Sequence, residues 1–87
     1  MPAKRSSQEL TDQEIAERAV VLQVLRDDHD ERWSRAELER EIYDIEPLAI
    51  SDAVERLRQE GVVHTTGELV WASCCAWRLD ALGMVSI

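Results

Sequence analysis

The segment 50–63 constrains the fold of this chain more than any other part of the sequence. Its apolar residues recur at the spacing i, i+3, i+4 and i+7, which places them along one side of a helix. These residues are Ile50, Ala53, Val54 and Leu57. Gly61 follows where a left-handed C-cap belongs, and Val62 and Val63 then favour a strand. The pattern therefore predicts a helix over about 48–60 that stops at a glycine and turns back into a hairpin.

Two Ser/Thr-x-x-Glu sequences predict where two earlier helices begin. Thr11-Asp12-Gln13-Glu14 and Ser34-Arg35-Ala36-Glu37 have the spacing of capping boxes, in which each end residue's side chain accepts a hydrogen bond from the other's backbone N–H. Apolar residues continue at helical spacing after each box. The helices are expected over about 12–26 and 35–44. Pro47 ends the second, because a proline pushes the residue before it out of helical dihedrals.

The residues after Gly61 change from a helical to a strand-like pattern. Val62-Val63-His64 and Leu69-Val70-Trp71 are short runs rich in β-branched and aromatic residues, and Thr65-Thr66-Gly67-Glu68 between them carries a glycine for a turn. We expect a two-stranded hairpin over 62–72, with the two threonines at its tip. With three helices before the hairpin and a short helix after it, the chain is predicted to be mainly α-helical.

Ser73 is a suitable cap for that last helix, which we place over about 74–82. An apolar tail follows it, and so much apolar surface at a chain end predicts an interface. We therefore expect a homodimer that forms through the first or last helix and the tail. The predicted interface residues are Trp77, Leu82, Met84, Val85 and Ile87.

The length of 87 residues matches one small domain, which we place at 10–87 after a flexible tail over 1–9. No apolar run approaches the ~18 residues that a membrane span needs. Lys4 and Arg5 have no apolar run behind them, so no secretory signal is expected. The sequence predicts a cytoplasmic protein that does not contact membranes.

No enzymatic, metal or cofactor site is predicted. Only three glycines are present, so no glycine-rich phosphate loop is expected, and neither histidine belongs to a recognisable nucleophile arrangement. The adjacent Cys74 and Cys75 are expected to be plain buried or half-buried thiols, with a redox role or metal binding as alternatives. Trp33 and Trp71 are expected in the core, with a ligand pocket as the alternative. The acidic residues at 27–31 indicate a solvated loop, with a divalent-cation site as the alternative.

Three segments carry a resemblance to a known family. They are Ile50-Ser51-Asp52-Ala53-Val54-Glu55-Arg56-Leu57-Arg58-Gln59-Glu60-Gly61-Val62-Val63, Trp33-Ser34-Arg35-Ala36-Glu37-Leu38 and Gly67-Glu68-Leu69-Val70-Trp71-Ala72-Ser73. In that order they resemble the end of the third helix, the start of the second helix and the second wing strand of small stand-alone bacterial winged helix-turn-helix regulators. The resemblance covers about 10–82. It implies a three-helix core, a two-stranded wing and a short C-terminal helix.

The resemblance also implies DNA binding through the outward side of the third helix. The helix over 48–60 would enter the major groove, where arginine pairs with guanine and serine with several base edges. The wing tip would meet the backbone or the minor groove. The resemblance assigns Arg56 to a phosphate. Lys4 and Arg5 lie before the region of resemblance and are a candidate basic arm. The DNA-binding residues it implies are Arg35, Ser51, Asp52, Glu55, Arg56, Arg58, Thr65 and Thr66.

The charge of the chain leaves a second function open. The net charge is −8, and nine acidic residues against three arginines give the segment 27–46 a charge of −6. Duplex affinity depends largely on neutralisation of phosphates by Lys and Arg, so we expect weak binding to double-stranded DNA, by a homodimer that doubles the few basic contacts. The alternative is a protein-interaction module that docks a basic partner through its acidic second-helix face, at Glu37, Glu39 and Glu41.

Overall fold

The computed structural model describes residues 10–26 and 32–83, which form four helices and a three-stranded antiparallel sheet. The elements in chain order are α1 (Asp12–Val24), β1 (Trp33–Ser34), α2 (Arg35–Glu41), α3 (Pro47–Gln59), β2 (Val63–Thr66), β3 (Leu69–Ala72) and α4 (Cys74–Ala81). A mainly helical chain with a small hairpin is therefore confirmed. The predictions for 1–9, 27–31 and 84–87 lie outside the described residues. Within the described ranges, none of the helices has the length and apolarity to cross a membrane.

Both predicted capping boxes are present. Thr11 Oγ1 accepts the N–H of Glu14 at 3.0 Å, and the Glu14 carboxylate accepts the N–H of Thr11 at 3.0 Å. Ser34 and Glu37 make the same exchange at 3.0 and 2.8 Å. These bonds satisfy backbone donors that the first turn of a helix leaves unpaired. This is why α1 and α2 begin where the sequence predicts.

The helix ends differ more from the prediction than the starts do. α1 ends at Val24 rather than 26, and α2 ends at Glu41 rather than 44. Ile42 stops α2, since its φ of −101° and ψ of 61° leave the helical region. The turn 42–46 then leads into Pro47, which begins α3 at a position where its missing N–H costs no hydrogen bond.

The prediction of a two-stranded wing is wrong, because the sheet has a third strand. β1 pairs antiparallel with β3, with Trp33 opposite Val70 and Ser34 opposite Leu69. β3 is therefore the central strand in the order β1-β3-β2. This pairing satisfies backbone groups on one edge of β3 and ties the hairpin to the start of α2.

The hairpin turn is also shorter than predicted. Thr65 and Thr66 belong to β2, and Thr66 pairs with Leu69, so the turn consists of Gly67 and Glu68 alone. Gly67 has a φ of +60°. A glycine with positive φ at the first position of a two-residue turn suits the type II′ geometry, which matches the twist of hairpin strands. The prediction of the threonines at the tip is therefore wrong, because the glycine begins the turn.

One buried apolar cluster takes side chains from every element. The residues predicted to face inward from α3 are all buried, and Val20 of α1, Leu38 of α2 and Val63 of β2 are fully enclosed. Trp33 is 3% exposed, which confirms the prediction of a core residue. Trp71 is only half-buried. The core therefore lies between the helices α1, α2 and α3 and the inner side of the sheet.

Cys74 and Cys75 are both exposed, which contradicts the prediction of buried or half-buried thiols. Ser73 caps α4 as predicted, with Ser73 Oγ accepting the N–H of Ala76 at 3.2 Å. Ala76 is the buried residue of this helix, and successive helical residues are about 100° apart. The two cysteines therefore turn away from the side of α4 that contacts the core.

Candidate nucleic-acid interface

Arg35 connects three elements on one side of the molecule. Its backbone N–H donates to the carbonyl oxygen of Glu68 in the hairpin turn at 2.9 Å. Its side-chain Nη1 donates to Ser51 Oγ on α3 at 3.4 Å. The pairing of β1 with β3 brings Arg35 to the turn, because Ser34 lies opposite Leu69. The hairpin turn, the start of α2 and the outward side of α3 are therefore continuous.

The outward side of α3 adds an ion pair to this region. Ser51, Glu55 and Arg58 follow one another at spacings of four and three residues, which places them along the same side of the helix. Arg58 Nε donates to both carboxylate oxygens of Glu55, at 3.2 and 3.1 Å, and Arg58 Nη2 also contacts Glu55 Oε2. Together with Arg35 and Glu68, these three residues form what we call the Arg35 surface.

The ion pair on the Arg35 surface shifts the titration of both its members. The hydrogen bonds from Arg58 are the largest cause of the lowered pKa of Glu55, and loss of hydration opposes them. The charges of Arg58 and Arg35 and a hydrogen bond from Gln59 lower that pKa further. In return, the hydrogen bond to Glu55 raises the pKa of Arg58. Both groups are therefore charged at neutral pH, and Arg58 is already neutralised by this chain.

Arg56 lies on a different side of α3 from Arg58. Its Nε is 2.6 Å from Glu17 Oε2 on α1, and the two side chains are 32% and 21% exposed. This pair joins α1 to α3 beside the core. The structure therefore does not bring Arg56 to the Arg35 surface, and a phosphate contact at Arg56 requires this arginine to leave Glu17.

The other predicted site residues do not make this region positive. Asp52 is exposed on α3, Thr66 is exposed at the end of β2, and Thr65 is half-buried. On the Arg35 surface, the two arginines are balanced by Glu55 and Glu68, and Asp52 adds a negative charge nearby on the same helix. A continuous positive stripe is therefore not formed by the predicted residues.

The sequence prediction missed a cluster on the outer side of the sheet. Arg32 Cζ lies 4.3 Å from the centroid of the Trp71 ring, which is a cation–π distance. The His64 ring centroid is 5.9 Å from that of Trp71, with the ring planes tilted by 49°. His64 and Trp71 are cross-strand partners. Gly67 is the sequence signal that could have predicted this contact. A two-residue turn that starts at Gly67 places His64 opposite Trp71.

The predicted dimer residues are described only in part. Trp77 is half-buried and packs against the core, so one side of it is already covered. Leu82, the C-cap residue of α4, is 56% exposed, and Leu79 of α4, absent from the predicted set, is 42% exposed. The remaining predicted residues, Met84, Val85 and Ile87, lie outside the described residues.

Neither a metal centre nor a relative identifies the function. In the described part of the chain, no three His, Cys, Asp or Glu side chains are arranged to hold a metal ion. No known protein family, curated protein or solved structure matches this chain.

Proposed function

We propose that this chain is a bacterial, cytoplasmic transcriptional regulator of the winged helix-turn-helix type. In this proposal, α3 enters the major groove of double-stranded DNA and the β2–β3 hairpin is the wing. The order of elements supports the assignment, since only the short turn 42–46 separates α2 from α3, and the hairpin follows α3 directly. The pairing of β1 with β3 is compatible with a wing anchored beside α2.

The continuity of the Arg35 surface carries this proposal. Arg35 contacts both the hairpin turn and Ser51, so a duplex that lies along α3 also meets the hairpin. Ser51, in the first half of α3, would face base edges, while Arg35 and Arg58 would contact phosphate or guanine. Glu55 is able to accept a hydrogen bond from the amino group of cytosine.

The balanced charge of the Arg35 surface predicts weak binding by a single copy. Each arginine that neutralises a phosphate adds to the affinity, but Arg58 must first be released from Glu55. A homodimer doubles the number of basic contacts and places two copies of α3 in successive major grooves when the half-sites are one helical turn apart. We therefore include homodimerisation in the proposal.

Duplex binding measured across salt concentrations tests the proposal. We expect a mixed-sequence duplex to bind at low salt, with Arg35→Ala and Arg58→Ala each reducing the log–log salt slope by about 0.9. Glu55→Gln is expected to strengthen binding, because it removes a negative charge and releases Arg58. Glu60→Gln makes the same charge change at an exposed residue just after α3 and is the matched control, with a smaller effect. No binding at low salt, or a slope that neither arginine changes, contradicts DNA binding.

A protein-docking module is a second candidate, and the ion pairs favour it. Arg56 and Arg58 of α3 are both engaged by carboxylates of this chain. On α2, Glu39 and Glu41 are exposed, whereas Glu37 belongs to the capping box. Reversing the charge of Glu39 and Glu41 is expected to release a basic partner that co-purifies with the wild type. If that partner stays bound, this second function is wrong.

A further inference from the structure

A groove lies on a surface that shares no residue with the Arg35 surface. It runs between the first turn of α1 and the turn that joins α2 to α3, and its volume is about 440 Å³. This volume is in the range of pockets that accept small ligands or a few side chains. The residues that line it are Asp12, Ile15, Asp44, Ile45, Glu46 and Ala49. We call it the α1–turn groove.

The floor of the α1–turn groove is apolar and partly open to solvent. Ile15 is 45% exposed, and Ile45 and Ala49 are half-buried and pack against the core. The residues that precede Asp44 and Ala49 are Tyr43 and Leu48, which are 87% and 71% exposed. They are the most exposed large hydrophobic side chains in the described part of the chain. Exposed apolar side chains in and next to the segments that line the groove are typical of a binding site.

The rim of the α1–turn groove is negative. Asp12, Asp44 and Glu46 are exposed, and none of the three carboxylates makes an ion pair or a hydrogen bond with another residue of the described ranges. Glu46 is the N-cap residue of α3, yet its side chain forms no cap hydrogen bond. The two helix N-termini at the groove contribute only about +0.5 charge each. The three carboxylates therefore outweigh them, and the groove favours a cation.

We propose that the α1–turn groove binds a short basic and aliphatic segment of a partner protein. An aliphatic side chain of that segment would cover Ile15 and Ile45, and flanking Lys or Arg residues would pair with Asp44 and Glu46. A folded second copy is a poorer fit, because stable dimers bury about 800 Å² on each partner, whereas this groove accepts only a few side chains. The proposal holds whether or not α3 binds DNA.

Titration with defined peptides, followed by NMR of the full chain, tests this proposal. The probe is a short capped peptide of alternating lysine and leucine. The two comparison peptides replace leucine with serine or lysine with glutamate. We expect the lysine–leucine peptide to shift the methyl signals of Ile15, Ile45 and Ala49 and to bind about tenfold tighter than either comparison peptide. Equal binding of the lysine–serine peptide would show charge attraction alone and would overturn the proposal.

Matched variants locate the binding site. The double variant Asp44→Asn, Glu46→Gln is expected to weaken the lysine–leucine peptide about fivefold. The double variant Glu60→Gln, Asp80→Asn removes the same charge at two residues that do not line the groove, one just after α3 and one on α4, and is expected to leave the affinity within about twofold. Equal losses in the two double variants would overturn the assignment to the groove. Arg58→Ala, which tests DNA binding, is expected to leave the peptide affinity unchanged, so the two proposals fail independently.

Two further measurements exclude occupants from this chain itself. The variant Lys4→Gln, Arg5→Gln is expected to leave the groove methyl signals where they are in the wild type. A shift in that variant would mean that the chain's own N-terminal segment fills the groove, and it would overturn the partner assignment. Groove signals that move with protein concentration, before any peptide is added, would assign the groove to a second copy instead. Thermal unfolding of each variant checks that the chain remains folded.

Discussion

At the scale of single residues, the Glu55–Arg58 ion pair decides how much positive charge α3 presents to solvent. Exposed ion pairs of this kind contribute little to folding, because water and salt screen them. Their importance is for ligands, since any phosphate that binds Arg58 has to displace Glu55. The Arg56–Glu17 pair is less exposed, so Arg56 is harder to release. Under the DNA-binding proposal, Arg58 is therefore the arginine of α3 that a duplex would engage first.

Arg58→Ala is expected to raise the pKa of Glu55 toward its ordinary value, because the hydrogen bonds and the charge of Arg58 lower it. Arg58 stabilises the carboxylate form, so the contribution of the pair is present at neutral pH and is lost as the pH falls through the lowered pKa of Glu55. NMR titration of the Glu55 carboxyl carbon measures this pKa. Arg56→Ala is the matched control and leaves it unchanged, because Arg56 bonds to Glu17. A Glu55 titration that Arg58→Ala does not alter would show that the pair is not formed in solution.

At the scale of the elements, the β2–β3 hairpin depends on the conformation of Gly67. Its φ of +60° is unfavourable for a residue with a side chain, although a Cβ at this position would meet no atom within 4 Å. Gly67→Ala is therefore expected to lower the free energy of unfolding by about 1 kcal/mol through the backbone alone. Urea unfolding followed by tryptophan fluorescence measures the loss. Gly67→Asn is the control and loses less, because asparagine is common in such turns. Equal losses in the two variants would contradict the assigned turn.

The helix starts and the hairpin could be predicted from the sequence because their signals are local. The capping box that begins at Ser34 needs only four consecutive residues, and Gly67 marks the turn by itself. β1 could not be predicted, since a strand of two residues has no periodicity to detect. Its pairing with β3 depends on how the chain returns after two intervening helices. The end of α2 could not be predicted either, because Ile42 is not a glycine and carries no local signal that a helix stops there.

Part of the candidate site could likewise be predicted from the sequence, and part could not. The alignment of Ser51, Glu55 and Arg58 follows from helical spacing alone, so the sequence predicts it. The bond from Arg35 to Ser51 joins residues 16 apart, and the bond from Arg56 to Glu17 joins residues 39 apart. Both depend on how α1 and α2 pack against α3. Sequence spacing therefore identifies outward residues, but it cannot tell which of them the chain's own carboxylates already occupy.

At the scale of the whole molecule, the net charge of −8 opposes the approach of a duplex. The positive potential needed for DNA binding is local, and at physiological salt charges separated by more than about 8 Å are largely screened. Distant acidic residues therefore matter less than Glu55 and Asp52, which lie on α3 itself. The proposed dimer would improve this balance, because two copies on one duplex would double the number of arginines that contact phosphate.

The exposed leucines at the end of α4 are where we expect that dimer to form. Leu79 of α4 and Leu82, the C-cap residue that follows it, are 42% and 56% exposed, and the other side of α4 contacts the core. Leu82→Glu is expected to weaken dimerisation by at least about tenfold, because a carboxylate in an apolar interface loses its hydration without gaining a partner. Sedimentation velocity over a range of protein concentrations measures the monomer–dimer equilibrium. Leu48→Glu makes the same change at an exposed leucine of α3 and is the matched control, with no effect expected. A wild-type chain that stays monomeric at the highest concentration would contradict the dimer, and an effect of Leu48→Glu alone would move the interface from α4 to α3.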